Sequence, residues 1–144
     1  SSRTLKALSL WQGLSTMPRD ITPLYQGAYE KTCGQTCVAM AAGVSREAAI
    51  AAVGMPAGTW GADLKRGLAK LGIRTGKTRT LRHNAGAPQF GIVNINYRVN
   101  GRKVRRPGHW LLVWDGLIYD PLPPDHEWRP PGEFISGFDI LDID

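Results

Sequence analysis

The stretch Gly108-His109-Trp110-Leu111-Leu112-Val113-Trp114-Asp115-Gly116-Leu117-Ile118-Tyr119-Asp120-Pro121 decides the fold. The run from His109 to Trp114 is apolar, of strand length, and rich in aromatic and branched side chains. Asp115-Gly116 comes next, a pair suited to the positive φ angles of a two-residue hairpin turn. Leu117 to Tyr119 returns from the turn, and Pro121 stops the return. With Asp115-Gly116 as the whole loop, Trp114 pairs with Leu117 and Asp120 faces Leu111. Side chains two apart share a face, so His109 points the same way as Leu111. Asp120 is then a diagonal, same-face neighbour of His109, about 7–8 Å away between backbones. A one-residue change in the loop would put the two on opposite faces.

Upstream of this hairpin, Phe90 to Val99 reads as another strand, ended by the strong turn signal Asn100-Gly101. Phe134 to Ile143 reads as a last strand. The N-terminal half has a different period. A helix is expected to begin at Thr32 or Cys33, to bury Val38 through Ala42, and to end in a left-handed cap at Gly43. Ser45 is a good N-cap for a second helix through Ala52, with Glu47 favourable in its first turn. A third helix is expected from about Ala62 to Leu71. Leu64, Leu68 and Leu71 form its apolar stripe, Lys65, Arg66 and Lys70 its wet face, and Gly72 its stop. Ahead of these, Leu5, Leu8 and Trp11 have the spacing of a short helix, and Pro18 and Pro23 break the segment after it. The chain divides into an N-terminal arm, 1–23, and a single domain, 24–144. Helices first and antiparallel strands second describe an α+β domain.

The 144 residues suit one domain with a real core. With 42% hydrophobic and 21% charged residues, wholesale disorder is excluded. No apolar run reaches the roughly 18 residues of a membrane helix, and no secretory signal opens the sequence. Two cysteines make no disulfide framework, and no second paired-ligand motif joins them, so neither a metal nor another cofactor is expected. The net charge is +6 and the pI about 9.7, with Lys and Arg clustered at 65–82 and 98–106. Without a nucleic-acid-binding motif this reads as a solvated basic face, and nucleic acid is not the expected partner. The competing reading is a non-catalytic nucleic-acid-binding module built on Arg98, Arg102, Lys103, Arg105 and Arg106, whose affinity would fall steeply with salt.

The chemistry centres on Cys33-Gly34-Gln35-Thr36-Cys37-Val38-Ala39-Met40. A helix start lowers a thiol pKa through the dipole and its free N–H groups, so Cys33 is the candidate nucleophile. Cys37, one turn further in among apolar neighbours, packs as a small hydrophobe. Of the three histidines, His83, His109 and His126, only His109 opens an apolar strand. Asp120 in register can accept from its Nδ1–H and hold the other nitrogen toward the thiol. The Cys33 N–H and the side-chain amide of Gln26, seven residues upstream, are candidate oxyanion donors. Trp110, Gly34 and Gly108 flank the reactive side chains and are the candidate substrate-binding positions. Trp60, Trp110 and Trp114 read as core or pocket wall, and Asn94 and Asn96 as a solvated strand face.

The succession of Gln26, Cys33-Gly34 with Cys37-Val38-Ala39-Met40, Gly108-His109-Trp110 and Tyr119-Asp120-Pro121 resembles the papain-like superfamily, most of all the C39 (bacteriocin-processing, double-glycine) peptidases and their C39-like relatives. It covers about residues 24 to 122. The resemblance implies a papain-like fold, with Gln26 as the oxyanion glutamine, Cys33 as the nucleophile, His109 as the general base and Asp120 as the orienting acid. It also implies a protein or peptide substrate cleaved after small residues, Gly-Gly foremost, by a thiol protease without a cofactor. Gln26 stands one residue further upstream than the family pattern, the hairpin is short, and the basic middle has no counterpart. The same acyl chemistry fits a papain-like glutamine deamidase or transglutaminase. A small basic domain without an initiator Met is expected to be a toxin or effector module of a delivered bacterial protein. Such a module acts in a cytoplasm and is countered by a neutralising immunity protein. A leader-trimming peptidase is the rival.

Overall fold

The computed structural model describes residues 19–27, 30–79, 88–95, 98–99, 102–103, 109–125 and 137–144. Within them the chain is α+β, with three helices preceding a four-stranded antiparallel sheet. The short helix expected around Leu5, Leu8 and Trp11 lies outside the described residues, as do His83, His126, Gly108, Asn96 and the Asn100-Gly101 turn.

Helix α1 spans Cys33–Ala42, α2 Arg46–Val53 and α3 Gly61–Lys70. Gly43 ends α1 in the left-handed conformation (φ 71°), returning its N–H to the Ala39 carbonyl at 2.9 Å. Ser45 caps α2, its hydroxyl accepting the Ala48 N–H at 3.1 Å. At the start of α3, Asp63 Oδ2 accepts the Trp60 N–H at 2.9 Å. Leu64 and Leu68 are fully buried, while Lys65, Arg66 and Lys70 take the exposed face. Among the described residues, no single helix is long and apolar enough to cross a membrane.

The strands are β1 (Phe90–Ile95), β2 (Arg98–Val99), β3 (Arg102–Lys103), β4 (His109–Trp114), β5 (Leu117–Tyr119) and β6 (Gly137–Asp142). The main sheet has the order β5-β4-β1-β6. Trp114 pairs with Leu117 and Leu112 with Tyr119, the register expected from a two-residue loop. Asp115 (φ 52°) and Gly116 (φ 80°) supply the two positive φ angles of that loop.

Of the strand expected from Phe90 to Val99, Phe90–Ile95 and Arg98–Val99 are described. The last pair of β1 with β4 is Ile95 with His109, and its register against β6 shifts between Asn94 and Ile95. Beyond that irregularity, Arg98–Val99 pairs instead with Arg102–Lys103 in a separate ladder. Part of the basic middle stretch also has a structural role. Arg79 exchanges backbone hydrogen bonds with Ile140, at 3.0 and 2.7 Å. Its guanidinium forks onto the Asp142 carboxylate at 2.6 and 3.0 Å.

Alternation along β1 and β4 divides the core. Ile92, Trp110 and Leu112 face the helices and pack with Cys37, Val38, Met40, Leu64 and Leu68. Val93, Ile95, Leu111, Val113 and Ile140 form a second buried cluster. Because both sets are buried, β4 reads as a continuous apolar run rather than an alternating one. Arg19 clips the N-terminal segment to the same layers. Its carbonyl accepts the Trp114 Nε1–H at 2.7 Å, and its guanidinium donates to the Met40 carbonyl at 2.8 Å, near the C-terminus of α1.

Candidate active site

Cys33 is the first residue of α1, directly after the N-cap Thr32, and the residue is half-buried. The start of β4 acts on it: the His109 side chain and the backbone N–H groups of Trp110 and Gly34 favour the charged form of the sulfur. His109 Nε2 lies 2.7 Å from Asp120 Oδ1, and both residues are buried. Asp120 Oδ1 also accepts the Leu122 N–H at 2.9 Å, which fixes the carboxylate just past the end of β5. The imidazole is thus hydrogen-bonded to the carboxylate and electrostatically coupled to the thiol.

The nitrogen facing the acid is Nε2, not the Nδ1 expected from the sequence. The reason is reach. Asp120 is a diagonal neighbour across the hairpin, and only the far atom of the ring spans that gap. With Nε2 held by Asp120, the nearer Nδ1 is left for the thiol.

Electrostatics separates the two cysteines. Burial by itself pushes the Cys33 thiol up. The hydrogen bond and positive charge of His109, with the N–H groups of Trp110 and Gly34, more than offset this and hold the thiol below its ordinary value. Burial pushes Cys37 well above its ordinary value, and the nearby charges of Cys33 and Asp120 add to the rise. Burial also disfavours the His109 imidazolium, but Asp120 and Cys33 raise it to about 9. A thiol shifted down beside an imidazole shifted up moves the pair toward thiolate and imidazolium. Such a pair can attack a carbonyl carbon and hand a proton to the departing group.

Gln26 is buried, and its backbone N–H donates to the Pro121 carbonyl at 2.7 Å, next to Asp120. Its Nε2 donates to the Glu30 carbonyl, three residues before Cys33, and its Oε1 is buried without a partner among the described residues. The amide therefore sits between the acid's segment and the nucleophile's segment.

Gly34 is buried. A Cβ there would stand 2.5 Å from Thr59 Oγ1, 2.9 Å from Leu64 Cδ2 and 3.1 Å from Trp110 Cδ1, so protein fills that side. The Trp110 ring is buried among the helices, and its Nε1–H donates to the Thr59 carbonyl at 3.3 Å. Gly108 lies outside the described residues.

Two expectations are corrected. Trp60 is no core residue: it is 69% exposed, since as the N-cap of α3 it projects where the chain turns into the helix. Asn94 is not on a wet face. It pairs with Trp110 in the middle of the sheet and is buried, its Oδ1 without a partner among the described residues. Sequence reasoning also missed Glu30, Thr32, Arg46 and Thr59. Arg46 and Thr59 reach the site from segments beyond α1, contacts that no local pattern encodes.

Among the described residues, no cluster of three or more His, Cys, Asp or Glu side chains could hold a metal ion. Comparison with protein-family models, curated proteins and solved structures finds no match.

Proposed function

We propose that this chain is a papain-like cysteine peptidase, resembling the C39-like group, that cleaves a protein or peptide substrate through an acyl-enzyme. One observation carries the reading: the His109 imidazole is hydrogen-bonded to the buried Asp120 carboxylate and coupled to the Cys33 thiol at the start of α1, with the thiol shifted down and the imidazole shifted up.

The Cys33 thiolate attacks the scissile carbonyl, and the carbonyl oxygen takes the negative charge. The Cys33 N–H at the start of α1 and the Gln26 amide stabilise that oxyanion. His109 gives its Nδ1 proton to the departing amine as the carbon–nitrogen bond breaks. Water then enters, His109 takes one of its protons, and the hydroxide oxygen displaces the sulfur. Asp120 holds Nε2–H throughout, so Nδ1 stays aimed at the reacting atoms. The family likeness makes peptides with small residues before the scissile bond, Gly-Gly first, the substrates to try.

The test has two stages. Iodoacetamide at mildly acidic pH should label Cys33 fast and Cys37 slowly, and His109→Ala should abolish the fast phase. Equal, slow labelling of both thiols would sink the proposal. New peptide termini after Gly-Gly would then establish proteolysis, whereas a target that gains about one dalton without being cut would assign glutamine deamidation instead.

A further inference from the structure

An oxyanion donor works only when placed within about 2.7–3.1 Å of the developing charge, so whatever places Gln26 matters as much as Gln26 itself. The Gln26 amide hangs on the main-chain carbonyl of Glu30. Glu30 closes a tight turn, its N–H returning to the Gly27 carbonyl at 3.0 Å. Its carboxylate Oε1 accepts from the Gly27 N–H at 3.0 Å, from the Thr32 hydroxyl at 3.1 Å and from Arg46 Nη2 at 2.5 Å. Arg46 belongs to α2. Its Nη2 also donates to Thr32 Oγ1 at 3.1 Å, and its Nε to Thr36 Oγ1 at 3.3 Å. Thr36 in turn donates its N–H and hydroxyl to the Thr32 carbonyl at 2.9 and 2.8 Å. One carboxylate and one guanidinium therefore tie four pieces together: the Gln26 turn, the cap Thr32, the first turn of α1 and the start of α2.

We propose that Glu30 and Arg46 are positioning residues for the oxyanion hole, their ion pair locking the Gln26 amide against the first turn of α1 so that it and the Cys33 N–H face one point. The inference rests on the acyl-transfer reading above. The carboxyl of Glu30 is held below its ordinary value by the Gly27 N–H and by Arg46, so the clamp is charged at neutral pH. Exposed ion pairs contribute little to stability, and this one is partly exposed on both sides. Its placement between the two donor segments accounts better for the density of its hydrogen bonds. The Cys33 thiol takes its low pKa from His109, Trp110 and Gly34, so thiolate formation runs through other contacts than the clamp.

That separation sets the experiment. Alkylation of Cys33 by iodoacetamide is a direct displacement and creates no oxyanion. Acylation by N-acetylglycine p-nitrophenyl ester passes through a tetrahedral oxyanion, and the nitrophenolate burst reports its rate. In the full chain at neutral pH, Glu30→Ala and Arg46→Ala should slow acylation roughly 10–100-fold while changing alkylation by less than about threefold. Glu30→Gln keeps an oxygen for the Gly27 N–H and Thr32, so it should retain most of the acylation rate. Gln26→Ala should show the same split, and adding Glu30→Ala to it should cost little more, because both act on one donor. Unchanged acylation, a parallel fall of both reactions, or additive effects of Glu30→Ala and Gln26→Ala would overturn the proposal. A wild-type chain that alkylates fast but is never acylated would remove the oxyanion hole and the clamp's role together. Slow alkylation of the wild type would remove the thiol chemistry itself.

Discussion

Replacing Asp120 by Asn separates charge from shape in the candidate triad. Asp120 Oδ1 accepts both the His109 Nε2–H and the Leu122 N–H. Asn leaves an oxygen in that place, so the orientation of the ring is kept and the charge is lost. In the wild type, His109 holds its proton to about pH 9, against an ordinary 6.5. At about 1.36 kcal/mol per pKa unit, the elevation corresponds to roughly 3 kcal/mol, supplied by Asp120 and Cys33 and net of burial. The Asp120 hydrogen bond is the largest of the raising contributions. Removing the charge behind it should bring His109 clearly below 9. The reactive pair requires an ionised thiol and a protonated imidazole. Its upper pH limit should therefore fall with it. Its lower limit should not rise, because His109 is still protonated there in the variant and the thiolate keeps its positive neighbour. The window narrows from the alkaline side. Mapped iodoacetamide alkylation against pH measures the window, and NMR titration of labelled His109 measures the imidazole directly. The stability linkage has a definite sign. A pKa raised by folding stabilises the fold fully below about 6.5 and loses that contribution as pH climbs through about 9. The stability gap between wild type and Asp120→Asn should accordingly close between neutral pH and pH 9. A variant whose His109 still titrates near 9, with an unchanged alkylation window, would refute the electrostatic account.

The same geometry gives three further outcomes. Leu68→Ala, at a fully buried position of α3, should cost about 2–5 kcal/mol in urea unfolding, with Cys33 alkylation by iodoacetamide unchanged where the fold persists. Gly34→Ala drives a methyl to within 2.5 Å of Thr59 Oγ1 and 2.9 Å of Leu64 Cδ2, so thermal melts should show about 1–3 kcal/mol of destabilisation. Adding Thr59→Ala should recover only part of it, because Leu64 and Trp110 still crowd the site. One glycine inserted between Asp115 and Gly116 turns Asp120 away from His109. His109 should then titrate near or below its ordinary value and the fast alkylation of Cys33 should vanish, both in a chain whose circular dichroism is unchanged.

The placement of His109 beside Asp120 was legible because it depends on local rules. Asp115-Gly116 dictates a two-residue turn, the turn dictates the register, and the register puts Asp120 beside His109. Helix-end electrostatics alone distinguished Cys33 from Cys37, and the structure sets their shifts in opposite directions. Sequence reasoning failed where a side chain's reach or long-range docking decides. It placed two backbones correctly but chose the wrong imidazole nitrogen, because spacing along a strand carries no information about ring length. It took Trp60 for a core residue on its chemistry and Asn94 for a surface residue on its polarity. The structure reverses both, since burial is set by position in the assembled layers. The ion pair of Glu30 with Arg46 joins a turn to a helix start across the first helix, and no periodicity relates such positions.

The hairpin can align His109 with Asp120, but it cannot bring Cys33 to them; that depends on the docking of the helical layer, and Trp110 couples the two. Its ring is buried against α1 and α3. Its indole N–H holds the Thr59 carbonyl ahead of α3, while its backbone N–H helps to lower the Cys33 thiol. The absence of a side chain at Gly34 is what lets the ring approach this closely, since a Cβ there would stand 3.1 Å from Trp110 Cδ1. The residue after the thiol and the residue after the imidazole thus form the contact that seats one layer on the other. For this reason the two motifs of the candidate site also fix the packing, and a substitution that loosens Gly34 against Trp110 should disturb the Cys33 thiol before it unfolds the chain.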